Sequence, residues 1–173
     1  MRPLFLAAIA TLTACGPLTF STEMKGEAVI EGSMLGQVFN VFPQLGGFAS
    51  IDFDQNQDFK NNNTSRDKVK SLKLTSIKLR IISPPSQDYG FLDSVEFAVK
   101  AGDKEQKIAS KTGVAALALA APNPTLTLDV VDAELVDFVH ATSMTLITRG
   151  AGRQPPQETR LEATVKFLVG VGL

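Results

Sequence analysis

The chain has few of the residues from which metal sites and active sites are usually built. Its 173 residues include one cysteine, one histidine, one tyrosine and no tryptophan. These counts exclude a metal site with two histidine ligands, and zinc or iron–sulfur sites built from several cysteines. A Ser-His-Asp arrangement could only use His140, and no G-x-S-x-G element surrounds a nucleophilic serine. We therefore expect a protein that is not an enzyme.

Charge of one sign is also lacking. Seventeen lysines and arginines face 18 aspartates and glutamates, so the net charge is −1. Without a basic run, we expect no binding to nucleic acid. The longest uncharged apolar stretch after the amino terminus, residues 113–121, is shorter than the roughly 20 residues that a membrane-spanning helix needs.

The amino terminus carries targeting features. Arg2 is followed by a mostly apolar run from Pro3 to Leu12, whose length fits the h-region of a secretory signal peptide. The next residues, Leu12-Thr13-Ala14-Cys15, resemble the lipobox of bacterial lipoproteins. The resemblance implies cleavage after Ala14 and attachment of fatty acyl chains, such as palmitate, to Cys15. No cofactor other than this covalent lipid is expected.

This resemblance leads to a predicted organisation and location. Residues 1–14 form the signal peptide, residues 15–25 the acylated cysteine and a short tether, and residues 26–173 one domain. Several acyl chains hold a protein stably on a membrane. Gly16 is not the aspartate that retains lipoproteins at the inner membrane, so the resemblance implies the outer membrane, with the domain in the periplasm.

Alternating apolar and polar residues predict a mainly β fold. The clearest case is residues 161–171, in which every second residue is apolar. Residues 91–110 predict a hairpin that turns at 101–104, and residues 69–82 a long strand with a bulge near Thr75. We expect an antiparallel β-sandwich of about eight strands. One or two short helices are predicted, at 33–43 and at 132–139.

The sharpest candidate for a ligand site is a weak calcium site. Oxygen-bearing residues stand at every second position, as at the start of an EF-hand loop: Asp52, Asp54, Asn56 and Asp58. The pattern then lacks the glycine at position 6 and the bidentate glutamate at position 12. The exposed face of a strand produces the same spacing, and we favour that interpretation, so no metal is predicted.

The function predicted from these features is that of a cell-envelope lipoprotein, a non-enzymatic binding or structural module anchored through Cys15. Its partners would be the membrane, through the lipid anchor, and an envelope protein, a glycan or a lipid. The alternative is a lipoprotein that binds a lipid or another small apolar ligand in an internal cavity, gated by the alanine-rich residues 113–121. The ligand itself is not predicted.

Overall fold

Two antiparallel sheets face each other in a computed structural model that describes residues 18–39 and 41–172. One sheet has four strands in the order β1-β9-β3-β6, and the other has five in the order β2-β8-β4-β5-β7. The strands are β1 (Leu18–Ile30), β2 (Val38–Phe39), β3 (Val69–Ser83), β4 (Leu92–Ala101), β5 (Lys104–Thr112), β6 (Thr125–Thr127), β7 (Asp129–Val130), β8 (Thr145–Arg153) and β9 (Thr159–Val171). Two short helices complete the fold, α1 (Gln57–Asn61) and α2 (Val136–Val139). The predicted β-sandwich is confirmed.

The core lies between the sheets and is built from the alternation seen in the sequence. In β9 the inward residues Leu161, Val165, Phe167 and Val169 are fully buried. β9 pairs with β1 on one side and with β3 on the other, so it is an inner strand of its sheet. Buried apolar side chains of this kind supply most of the stability of a domain without disulfides.

Several details of the predicted strands are confirmed. The register between β3 and β9 shifts between Leu74 and Ser76, which is the bulge expected near Thr75. β4 and β5 form the expected hairpin, and the turn between them contains Gly102 with a φ of +57°. Glycine suits this turn because a positive φ costs it no steric strain.

Two predictions are wrong. Residues 18–25, assigned to a tether, belong to β1 and pair with β9. The helix predicted at 33–43 is instead a turn at Ser33–Gly36 followed by the short strand β2. Gly36 has a φ of +56°, which ends any helical path at the first turn. Of the residues at helical spacing, Phe42 is buried, whereas Leu35 and Val38 are exposed, so the spacing does not mark one buried face.

Candidate interaction surface

The four residues of the calcium candidate act in local structure. Asp52 accepts a hydrogen bond from the backbone N–H of Asp54 at 3.0 Å and starts a 3-10 turn at Phe53–Gln55, where a strand was predicted. Asn56 accepts from the N–H of Asp58 at 2.8 Å and caps α1. Such side chains satisfy the free N–H groups of a helix start. Among the described residues, no three histidine, cysteine, aspartate or glutamate side chains cluster as metal ligands.

Asp54 has a further role in holding this segment. Its carboxylate accepts a hydrogen bond from the backbone N–H of Arg66 at 2.9 Å and lies 3.3 Å from the Arg66 guanidinium. The side-chain oxygens of Asp52, Asp54 and Asn56 are therefore directed to donors of the protein itself.

His140 and the acids near it in sequence do not form a catalytic arrangement. His140 is exposed, and its Nε2 lies 3.0 Å from the carbonyl oxygen of Val69, to which it donates. Asp132 and Asp137 pair with Lys73 and Lys104 at 3.0 and 2.8 Å. The hydrogen bond from Lys104 lowers the pKa of Asp137. Both carboxylates are engaged by lysines and not by the histidine.

Glu134 is the most heavily engaged carboxylate at this end of the sandwich. It accepts hydrogen bonds from the Ser71 hydroxyl and from the N–H groups of Leu72, Leu135 and Val136. Partial burial alone raises its pKa, but these donors outweigh burial and lower the pKa. They tie the segment before α2 to β3, so the role is structural. The helix predicted at 132–139 is shorter and spans only Val136–Val139.

Among the four best-formed depressions of the described residues, none is the internal cavity of the alternative prediction. Four depressions of about 270 to 430 Å³ lie open to solvent, and none is lined by residues 113–121. Within that alanine-rich segment Val114 is buried and Leu117 is partly exposed around a 3-10 turn at Ala115–Leu117. The segment therefore does not cover any of these four depressions. The space between the sheets is filled by large side chains such as Phe97 and Phe167, which are fully buried.

Cys15 lies outside the described residues, and its lipidation stays a prediction. Along the described chain, no helix is both long and apolar enough to span a bilayer.

An exposed apolar loop follows β1 at one edge of the sandwich. Four of its large apolar side chains are largely in solvent, at 96, 84, 67 and 81 % exposure: Met34, Leu35, Val38 and Val41. We call these four residues the apolar edge loop. Solvent exposure of four such neighbours in one short segment is typical of a surface that binds another molecule.

The loop is held in place by contacts at both of its ends. The Ser33 N–H donates to the carbonyl of Pro155 at 2.8 Å, and the N–H of Gln154 donates to the carbonyl of Gln37 at 2.7 Å. Phe42 is fully buried, and a Cβ on Gly150 would lie 2.8 Å from its ring. The loop is thus anchored by backbone bonds and by one buried ring, while its aliphatic side chains project outward.

Next to these projecting side chains lies an open groove of about 280 Å³. Its apolar lining comes from β1, β2 and the segment after β2, as Val29, Phe39, Val41 and Pro43. Glu31 lies on its rim, and Arg153 is paired in register with Val38. Within residues 18–39 and 41–172, neither of these two charged side chains forms an ion pair. The edge therefore offers projecting apolar groups, a groove with a mixed apolar and polar lining, and the unpaired charges of Glu31 and Arg153.

Sequence reasoning missed this surface. The periodicity of the loop resembles one helical face, and such a face is normally buried. A signal that could have identified it is the glycine and asparagine content of the segment, Gly36 and Asn40, which is unusual in a buried helix.

Comparison with known proteins yields only distant structural matches. No protein-family model and no curated protein matches the chain. The chain resembles the capsid protein of BFDV in a decameric crystal structure, with a TM-score of 0.42, 8 % identity, and coverage of 91 % of this chain and 100 % of that one. The 60-mer of the BFDV capsid protein matches with a TM-score of 0.41, 7 % identity and coverage of 90 % and 93 %. The structure of Desmodium yellow mottle tymovirus matches with a TM-score of 0.29, 10 % identity and coverage of 99 % and 96 %.

These findings correct the functional prediction. The predicted cell-envelope lipoprotein is contradicted in its function, its membrane and envelope partners and its outer-membrane location: two of the structures named here are BFDV capsid proteins and the third is a tymovirus. We do not take that prediction further. The likeness is also too distant to give this chain a role in a capsid, and no family is assigned to it.

Proposed function

We propose that this chain is a non-catalytic β-sandwich that works by associating with further copies of itself, through the apolar edge loop and the groove beside it. The observation that carries the proposal is the exposure of Met34 and Leu35, at 96 and 84 %, next to a groove on the same edge that is partly lined by apolar side chains. Complete burial of such a side chain contributes about 1.5 to 3 kcal/mol. Self-association would bury these side chains and so gain this free energy, whereas in the monomer they stay in solvent.

A second copy is favoured as the partner because one chain carries both halves of the contact. In a two-fold arrangement each surface meets the same surface of the other copy. The projecting Met34 and Leu35 of each copy would then enter the groove of the other. Glu31 and Arg153 carry opposite charges, so the same two-fold contact can bring Glu31 of each copy next to Arg153 of the other.

The test is the mass of the full chain in solution, measured by light scattering during gel filtration. In the variant Met34→Glu/Leu35→Glu, carboxylates replace both projecting side chains. We expect association through the loop to weaken by at least about a hundredfold, because buried apolar anchors dominate such contacts. The control Ser86→Glu/Thr127→Glu adds the same charge at exposed positions away from the loop, in the loop after β3 and in β6. It should keep the wild-type mass.

Three results would contradict the proposal. One is a wild-type chain that stays monomeric at all concentrations. Another is an unchanged mass for Met34→Glu/Leu35→Glu, which would show that association, if present, uses another surface. Binding of an unrelated protein to the loop, without self-association, would also overturn it.

A further inference from the structure

Within residues 18–39 and 41–172, the N-terminal half of β1 is a long sheet edge without a neighbouring strand on its outer side. The other three strands that end a sheet have two or three residues, whereas β1 has 13. β1 pairs with β9 in continuous register without a bulge, and Leu18–Met24 contains no proline. Natural proteins usually protect an edge strand by shortening, a bulge, proline or charged side chains. This stretch is long, has no bulge and no proline, and its one charged side chain, Glu23, is paired with Lys166.

Only the C-terminal part of β1 is covered. The Gly46 N–H donates to the carbonyl of Glu27 at 2.7 Å, and a Cβ on Gly47 would lie 2.9 Å from the carbonyl oxygen of Lys25. The carbonyls of Lys25 and Glu27 thus point away from β9. Because backbone direction alternates along a strand, the N–H and C=O groups of Thr19, Ser21 and Glu23 point the same way. Among the described residues, these groups have no backbone partner on that side.

One symmetric register fits this free stretch. If Ser21 lies on a two-fold axis, Thr19 faces Glu23 of the other copy, and about six hydrogen bonds form between outward-pointing backbone groups. An axis at Glu23 would set two glutamates opposite each other, which is destabilising. An axis at Thr19 would need residues before 18. The small, uncharged Ser21 is therefore the natural centre.

The side chains of β1 are compatible with this pairing. On the outer face, Glu23 is already held by Lys166 at 2.8 Å, and this pairing lowers its pKa, so the glutamate stays ionised near neutral pH. On the inner face, Phe20 contacts the ring of Phe59 at 5.3 Å and is half-buried. It would lie opposite Thr22 of the second copy, so no like charges meet on either face.

We propose that Leu18–Met24 of β1 pairs antiparallel with the same segment of another copy, with Ser21 opposite Ser21. This contact rests on the proposed self-association and adds a second, mainly hydrogen-bonded interface to the apolar one. Two different two-fold contacts on one chain link copies into assemblies larger than dimers.

The register is tested by disulfide formation in the full chain carrying Cys15→Ser. Directly opposed residues in a hydrogen-bonded antiparallel pair have Cα atoms about 5.5 Å apart, within the range of a disulfide. We expect Ser21→Cys to give a covalent dimer under mild oxidation. The control Thr19→Cys places its two copies about 14 Å apart, four residues of strand rise, and should stay monomeric on a non-reducing gel. Absence of the Ser21→Cys dimer, or equal cross-linking of Thr19→Cys, would overturn the proposal.

A second measurement separates this contact from the apolar one. Ser21→Pro removes a backbone donor at the free edge, where proline is tolerated because the lost N–H does not bond to β9. We expect light scattering to show dimers for Ser21→Pro, dimers for Met34→Glu/Leu35→Glu, and monomers when both changes are combined. If Ser21→Pro keeps the wild-type mass while the loop variant dissociates completely to monomers, the β1 pairing is wrong and the proposed function stands. If the loop variant keeps its mass while Ser21→Cys cross-links, the pairing stands and the proposed function fails.

Discussion

β9 and the apolar edge loop are both rich in large aliphatic side chains, and the molecule treats them in opposite ways. Leu161, Val165 and Val169 of β9 are fully buried, whereas Met34 and Leu35 of the loop are 96 and 84 % exposed. The difference is one of position. β9 has a strand on each side and a second sheet against its inner face, while the loop includes and flanks β2, the edge strand of its sheet. The apolar residues of β9 stabilise the fold, whereas those of the apolar edge loop are available for association.

The largest effect should come from the β9 side of this comparison. Phe167→Ala removes a fully buried ring that lies edge-on to Phe53, with ring centroids 6.5 Å apart. We expect the free energy of unfolding to fall by about 3 to 5 kcal/mol, from lost burial and the cavity left behind. Urea unfolding followed by circular dichroism measures this. A loss below about 1 kcal/mol would show that the core at β9 is not closely packed.

A smaller effect should come from a polar group inside the same core. The Tyr89 hydroxyl is buried and donates to the carbonyl oxygen of Leu79 at 2.7 Å, and burial raises its pKa. Tyr89→Phe keeps the ring and removes the hydrogen bond from the hydroxyl to that carbonyl. We expect a loss of about 1 to 2 kcal/mol in the same unfolding measurement. An unchanged stability would mean that the carbonyl finds another partner.

The Glu134 cluster should contribute at the rim of the core, and its effect should depend on pH. Its pKa is lowered in the folded state, so it stabilises the fold above the pKa of the unfolded carboxyl, about 4.3, and loses that contribution as the pH falls through its lower folded pKa. Glu134→Gln should lower the free energy of unfolding at pH 7 by about 1 kcal/mol. It should also reduce the loss of stability that the wild type shows as the pH falls below about 5. Parallel pH profiles for wild type and variant would contradict this role.

The smallest effect on folding should come from the loop. Leu35→Ser should change the free energy of unfolding of the monomer by less than about 0.5 kcal/mol, because the side chain is already in solvent. The same change should weaken self-association. Unfolding is measured at a concentration where the chain is monomeric, and association at a higher one. A stability loss comparable to that of Phe167→Ala would show that Leu35 is packed in the monomer, as the side chains of β9 are.

The sequence predicts those parts of the fold in which one residue pattern has one structural solution. Strict alternation over 161–171 occurs in a strand with one buried face, and it is confirmed in β9. The change of phase at Thr75 locates a real bulge. Both features are local, because the strand itself carries the pattern.

Other parts depend on contacts that the local pattern does not contain. Leu35, Val38 and Phe42 have helical spacing, yet the loop is fixed by bonds to Gln154 and Pro155, which are more than a hundred residues away. The partner strand that makes residues 18–25 part of β1 is also distant in sequence. The apolar pattern by itself does not reveal the candidate interaction surface, because the surface consists of apolar residues that the fold leaves unburied.

The measurement that tests the central claim most directly is the solvent accessibility of the Met34 methyl group, followed by NMR on full-length chain labelled at its methionine methyls. Met34 is 96 % exposed and Met144 is 1 % exposed in one copy, so the second serves as an internal control. A soluble paramagnetic agent should broaden the Met34 signal at low protein concentration and spare it at high concentration, while the Met144 signal stays sharp throughout. A Met34 signal that is broadened equally at every concentration would contradict burial of the apolar edge loop between copies.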